Sequence, residues 1–220
     1  MPDALLDRLA ALDTCVVSDA LDRLKLRGTV HEIGRLWACP RVAGRVVTVR
    51  LGPYEEAAAA SAPHLGTRAI EAASGDHVIV VANDGRVEMA GWGGLLSRAA
   101  RQRGVRGVIV DGACRDVDEA QELGFPLYAR AAVPTTARGR VNELATNTAV
   151  MIDGVNVVPG DLAIADGSGV VFVSDASAGE VVETAEQLAA REAELAQQLE
   201  RGIPPTQVLG GSYERMVTPD

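Results

Sequence analysis

The chain reads as one α/β domain, and three observations carry that reading. Strand-type and helix-type segments alternate through its middle, its 220 residues suit one sizeable core, and no linker or internal repeat divides it. Hydrophobic residues at 47% and charged residues at 23% match an ordinary globular interior and surface.

In chain order, residues 3–27 read as helical, with Leu5, Leu9 and Leu12 on one stripe. Ser18 is placed as an N-cap that opens a second turn carrying Ala20, Leu21 and Leu24, with Asp19 in the first turn. RVAGRVVTVRL (41–51) is β-branched and alternating, which predicts a strand. Residues 54–73, rich in Ala and Glu after Pro53, predict a helix. HVIVVA (77–82) predicts a strand that ends in the turn Asn83-Asp84-Gly85. A helix over 95–103 stops at Gly104; VRGVIV (105–110) is a buried strand, 116–123 a short helix, and 126–133 another strand. That succession predicts a crossover unit with parallel pairing. Residues 149–173 read as short strands in hairpins, with turns at Pro159-Gly160-Asp161 and Asp166-Gly167. The last helix spans 177–201, with Val181, Val182, Leu188, Leu195 and Leu199 as its apolar stripe. A domain over 1–202 followed by an irregular tail over 203–220 is the resulting division.

Composition removes several function classes. A net charge of −9 and 3% aromatic residues supply neither clustered cations for phosphates nor stacking platforms for bases, so no nucleic-acid partner is expected. No run of eighteen apolar residues predicts a membrane span, and the N-terminus does not read as a signal peptide, so a cytoplasmic location is expected. Cys15, Cys39 and Cys114 are odd in number and lack CxxC spacing, against a disulfide framework or a structural zinc site. His31, His64 and His77 show no metal-ligand spacing, although His64 after Pro63 could line a pocket.

The chemistry concentrates in GWGGLLSRAARQRGVRGVIVDGACRD (91–116). Gly91, Gly93 and Gly94 precede a helix, leaving the amides near Leu95 and Leu96 uncovered, an arrangement that suits a carboxylate. A strand then runs into Asp111-Gly112 and Arg115-Asp116, and carboxyl ends of strands are where α/β sheets bind ligands. Asp116 can give Mg²⁺ or Mn²⁺ an oxygen ligand, and Arg115 can offer a donor fork to a carboxylate or a developing enolate oxygen. The bland reading of the same residues is a tight turn and a surface ion pair or helix cap, and the residues alone leave both open. Cys114 beside Arg115 reads as a small structural residue rather than a nucleophile, and Asp111 as a turn residue that could orient metal-held water.

The stretch 91–133 resembles the family that contains 4-hydroxy-4-methyl-2-oxoglutarate aldolase and the regulator of ribonuclease activity A. Ser18-Asp19-Ala20-Leu21 and GVNVVPGDLAIADGSGVVFV (154–173) extend the likeness, so that it covers about residues 10–200. The resemblance implies a layered α/β/β/α sandwich with mixed sheets. It also implies trimers or hexamers with sites at subunit interfaces, and a divalent-metal-dependent lyase that cleaves or decarboxylates a small 2-oxo acid to give pyruvate. By position it implies Asp116 as metal ligand, Arg115 as stabiliser of the enolate, and Gly94, Leu95 and Leu96 as the holders of the substrate carboxylate. Glu192 and Glu194 are the candidates for an acid reaching in from a neighbouring subunit. One departure is visible: the aldolases carry an acid separated by twenty residues from the Arg-Asp pair, and here that position is Gly94. The alternatives are a regulator that binds a ribonuclease or other partner, and a divergent lyase acting on another acid.

Overall fold

A computed structural model describes residues 3–56 and 63–214. The amino-terminal segment folds as two helices, α1 (Ala4–Ala11) and α2 (Thr14–Arg23). The expected start at Ser18 is incorrect. Asp13 accepts from the amide of Val16 and caps α2, so Ser18 and Asp19 lie inside the helix, and Ser18 Oγ pairs with Thr29 Oγ1 at 2.9 Å. Two short strands follow, β1 (Thr29–Val30) and β2 (Gly34–Arg35), then the long β3 (Val42–Pro53).

Of the helix expected over 54–73, α3 (Thr67–Ala72) is present, and residues 57–62 lie outside the described residues. Next come β4 (His77–Ala82), β5 (Ala90–Trp92), α4 (Gly94–Gln102), β6 (Gly107–Cys114), α5 (Val117–Glu122) and β7 (Leu127–Ala132). β6 runs four residues beyond the sequence expectation, because Asp111 and Gly112 continue the strand rather than turn it. β8 (Val141–Thr146), the hairpin β9 (Val150–Ile152) and β10 (Val155–Val157), then β11 (Leu162–Ala165) and β12 (Val170–Val173) complete the strands. α6 (Ala178–Glu200) is the long carboxy-terminal helix. The tail read as irregular contains two single turns of helix, α7 (Pro205–Val208) and α8 (Gly211–Glu214).

Among the described residues the main sheet runs β1-β12-β11-β3-β4-β6-β7-β2, with β5 added to β6 and β8 to β3. β3, β4, β6 and β7 pair in parallel, as the strand–helix alternation predicted, while β11 and β12 pair antiparallel. The sheet is mixed and curled. Tyr128 on β7 donates its hydroxyl to the carbonyl of Ala165 on β11 at 3.0 Å, although β3, β4 and β6 lie between those strands in the sheet. Curling makes one sheet supply both β layers of the sandwich. Val46, Val78, Val80, Ile109 and Phe172 fill the space between them, together with Val150, Ile152 and Val157 of the small hairpin. On one outer face α1, α2 and α6 bury Leu6, Leu9, Val17, Leu21, Val181 and Val182 against Ile164 and Val173. On the other, α3, α4 and α5 pack Ile70, Leu96, Ala100 and Ala120 against Val49, Ile79, Val81 and Val110. Continuous burial along β4 and β6 follows from helices and sheet covering both faces.

Candidate functional site

Three neighbours in the sheet region bring the glycine run and the Arg-Asp pair together. β5 pairs in parallel with the end of β6, setting Trp92 against Cys114, so each strand delivers its next residues to the same place. Arg115 donates its amide to the Trp92 carbonyl at 3.0 Å and fixes the register. Trp92 is buried, donates its indole N–H to Ser97 Oγ at 3.0 Å, and ties β5 to α4.

Asp116 adopts the left-handed conformation (φ 59, ψ 41) that a non-glycine residue takes at some cost. The turn aims its carboxylate back at the start of α4, where Oδ2 accepts from the Gly94 amide at 2.9 Å. Arg115 Nε lies 3.3 Å from the same oxygen. Gly93 is required by this approach: a Cβ there would stand 2.9 Å from Asp116 Oδ2 and 3.2 Å from Arg115 Nε. The next two amides of α4, those of Leu95 and Leu96, have no hydrogen-bond partner among the described residues and carry the positive end of the helix dipole. Leu96 is anchored in the core, whereas the Leu95 side chain is 73% exposed at the cleft.

A small cleft of about 70 Å³ opens above these groups and is bordered also by His64, Thr136 and Arg138. Partial burial and the neighbouring charges of Arg138 and Arg115 push the His64 imidazole below its ordinary pKa, leaving it neutral at physiological pH. The cleft therefore gathers two guanidinium groups, a neutral imidazole, a half-exposed carboxylate and a helix N-terminus. That arrangement accepts a small anion and presents donors to a second oxygen on it.

Gly94, Leu95, Leu96, Arg115 and Asp116 thus meet in one cleft. Glu192 and Glu194 do not join them within the chain, since both stand on α6, which packs against α1 and α2. Glu194 pairs with Arg191 at 2.7 Å. Glu192 faces acids of α2: desolvation and the charges of Asp19 and Asp13 raise its pKa. Asp19 is itself raised by burial and by Asp22 and Asp13, and it borders a different groove. Asp111 is not a turn residue: it is buried within β6 and accepts from Arg130 Nε at 2.6 Å. Cys114 is fully buried, and desolvation pushes its thiol far up, which removes it as a nucleophile. His31 bonds Asp153 and His77 bonds Ser74, both outside the cleft.

Two further groups escaped the sequence reading. Arg138 lies in the segment after β7, where no periodic signal marks it. Glu119 follows Asp116 by three residues, a helical spacing visible in the sequence, and it packs directly over Gly94.

A family model described as RraA-like (Aldolase/RraA) matches residues 14–172. Among curated relatives, the chain is 38% identical over 125 residues, 57% of its length, to the uncharacterised protein MJ0644 of Methanocaldococcus jannaschii. It is 29% identical over 182 residues, 83% of its length, to the protein DlpA of Legionella pneumophila. It spans 60% of the first of these proteins and 29% of the second. With the 4-hydroxy-4-methyl-2-oxoglutarate aldolase of Thermus thermophilus it shares 32% identity over 139 residues, 63% of this chain and 79% of that one. Among solved structures, an uncharacterised protein from Pseudomonas syringae superposes with a TM-score of 0.85 at 30% identity, covering 94% of this chain and 98% of its own. Streptomyces coelicolor RraAS2, described as an unusual member of the RNase ES inhibitor RraA protein family, gives 0.78 at 25% identity, covering 91% and 98%.

Proposed function

The chain belongs to the RraA-like family, and from the groups gathered in its cleft we propose that it is a divalent-metal-dependent carbon–carbon lyase acting on a small 2-oxo acid. Its reaction is retro-aldol cleavage of a 4-hydroxy-2-oxo acid to pyruvate, oxaloacetate decarboxylation, or both. The observation that carries the reading is the convergence of the Arg115–Asp116 pair on the open amino terminus of α4. Similarity to a protein named as 4-hydroxy-4-methyl-2-oxoglutarate aldolase supports a lyase role.

The residues fit a loosely held, water-rich cation such as Mg²⁺ or Mn²⁺. Asp116 Oδ1 has no partner among the described residues, and such ions need only one or two carboxylates. Among the described residues no group of three or more His, Cys, Asp or Glu forms a closed cage, so a structural zinc-type site does not fit. When bound, the cation supplies Lewis-acid polarisation of the substrate's ketone oxygen. The rest falls to the chain. The Leu95 and Leu96 amides hold the substrate carboxylate at the helix terminus. Arg115 directs its fork at the oxygen on which charge develops as the carbon–carbon bond breaks. The Asp116 carboxylate, fixed through Oδ2 by the Gly94 amide, keeps its second oxygen free for the cation. In this reading an acid from a neighbouring copy of the chain, Glu192 or Glu194, completes the site in a trimer or hexamer.

The test is pyruvate release from oxaloacetate and from 4-hydroxy-4-methyl-2-oxoglutarate, with Mg²⁺ or Mn²⁺ and with chelator, for the natural chain and Asp116→Asn. Turnover above the metal-only background, lost with chelator and in the variant, is the expected result. Absence of turnover from an intact oligomer overturns the proposal and favours a binding role of the kind named for the RraA inhibitors.

A further inference from the structure

Gly94 has no side chain, and the volume one would fill is taken by a carboxylate. An ideal Cβ at this position stands 1.9 Å from Glu119 Oε2 and 2.6 Å from Glu119 Cδ. The Cα–Cβ bond of a helical residue leans toward the amino terminus, so this volume lies at the lip of α4, beside its open amides. The carboxylate is held there. Arg98, one turn along α4, donates from Nη2 to Glu119 Oε1 at 2.7 Å, while Oε2 has no partner among the described residues. The same virtual Cβ stands 3.1 Å from Asp116 Cβ, and the Gly94 amide holds Asp116 Oδ2. Two carboxylates from the start of α5 therefore converge on one residue, and a side chain there would displace the flexible Glu119 carboxylate from this place.

We propose that Glu119 is a positioning residue of the cleft: through the space left by Gly94 it presents a free carboxylate oxygen that accepts from water held by a divalent cation on Asp116. Positions 94 and 119 are then alternative sources of a single carboxylate. The proposal rests on the reading of Asp116 as a cation ligand. The competing account is an interhelical staple, in which the half-exposed Arg98–Glu119 pair merely joins α4 to α5 and adds little stability.

The experiment is Mn²⁺ binding to the full chain by electron paramagnetic resonance, with far-ultraviolet dichroism and melting to establish folding. Partners that orient a metal's surroundings typically govern 10–100-fold in affinity, so Glu119→Ala and Glu119→Gln should each weaken Mn²⁺ by about 10-fold. The double variant Gly94→Asp/Glu119→Ala should restore binding, because the new carboxylate occupies the vacated volume. Arg98→Ala, which loosens the carboxylate but keeps it, should weaken Mn²⁺ less than Glu119→Ala does. If the natural chain binds Mn²⁺, Asp116→Asn abolishes binding, and the Glu119 variants bind as the natural chain does, then Glu119 is only a staple. In that case the inference falls while the reading of Asp116 stands. If Asp116→Asn binds like the natural chain, or the natural chain binds no Mn²⁺, both fall.

Discussion

Gly93→Ala adds one methyl group to the chain and aims it at the centre of the proposed chemistry. The backbone at Gly93 is extended (φ −154, ψ −175), a conformation open to alanine, so the substitution introduces no backbone strain. Its Cβ would stand 2.9 Å from Asp116 Oδ2, 3.2 Å from Arg115 Cγ and 3.2 Å from Arg115 Nε. Carbon atoms pack at about 3.5–4.0 Å, so both side chains must retreat by roughly half an ångström or more. Both are partly exposed and can move outward. The stability cost should accordingly be about 1 kcal/mol or less, within the range of ordinary surface-proximal substitutions. Activity is another matter, since a displacement of about 1 Å in a reacting group costs on the order of 10²-fold. With a retreat of about half that distance, turnover of oxaloacetate should fall by about 10-fold, equivalent to about 1.4 kcal/mol of transition-state stabilisation. The assay couples pyruvate to lactate dehydrogenase at saturating Mg²⁺, with a thermal melt of the same sample. A folded Gly93→Ala protein that turns over within a few-fold of the natural chain would refute the placement of the chemistry on Arg115 and Asp116.

Three further outcomes are expected. Tyr128→Phe should lower stability by about 1–2 kcal/mol in urea unfolding, because the one O–H shared between the carbonyls of Ala165 and Pro40 is lost and with it a cross-link of the curled sheet. Asp166 is raised by burial, but hydrogen bonds from Thr14 Oγ1 and N and from Ser168 N outweigh this and hold it below the ordinary 3.8. Its contribution is present above that value and is lost as pH falls through the lower folded pKa, so Asp166→Asn should flatten the acid limb of urea midpoints measured between neutral pH and strong acid. Glu192 behaves oppositely: desolvation and then Asp19 and Asp13 raise its pKa, so its ionised form opposes folding above the ordinary 4.5. Glu192→Gln should raise the melting temperature at neutral pH, with the gain vanishing below pH 4.5.

The sequence by itself determined the α/β alternation, the exact span of β4, the long α6 and the parallel unit through β4, β6 and β7. Each rests on a local cause: β-branched runs, 3.6-residue periodicity, or a glycine stop after a helix. It also pointed to residues 91–96 and 115–116 as one chemical unit, since glycines before a helix and a charged pair after a strand each carry their own signal. Short-range signals failed where tertiary contacts set the outcome. Ser18 lies within α2 because Asp13, a local cap three residues before Val16, opens the helix earlier, and the long-range contact of Thr14 with Asp166, 152 residues away, holds that start in place. Asp111 is buried in β6 with its carboxylate paired to Arg130, nineteen residues on, a partner that no local signal reveals. β5, three residues long, exists only because β6 offers it an edge. The curl that makes two layers of one sheet is closed by contacts between strands remote in pairing order, the apolar cluster between the layers and the Tyr128–Ala165 hydrogen bond among them. Above all, the glycine that a linear reading takes for a missing acid is, in three dimensions, the opening through which Glu119 approaches Asp116, because the volume a side chain would need is visible only once α4 and α5 are packed together.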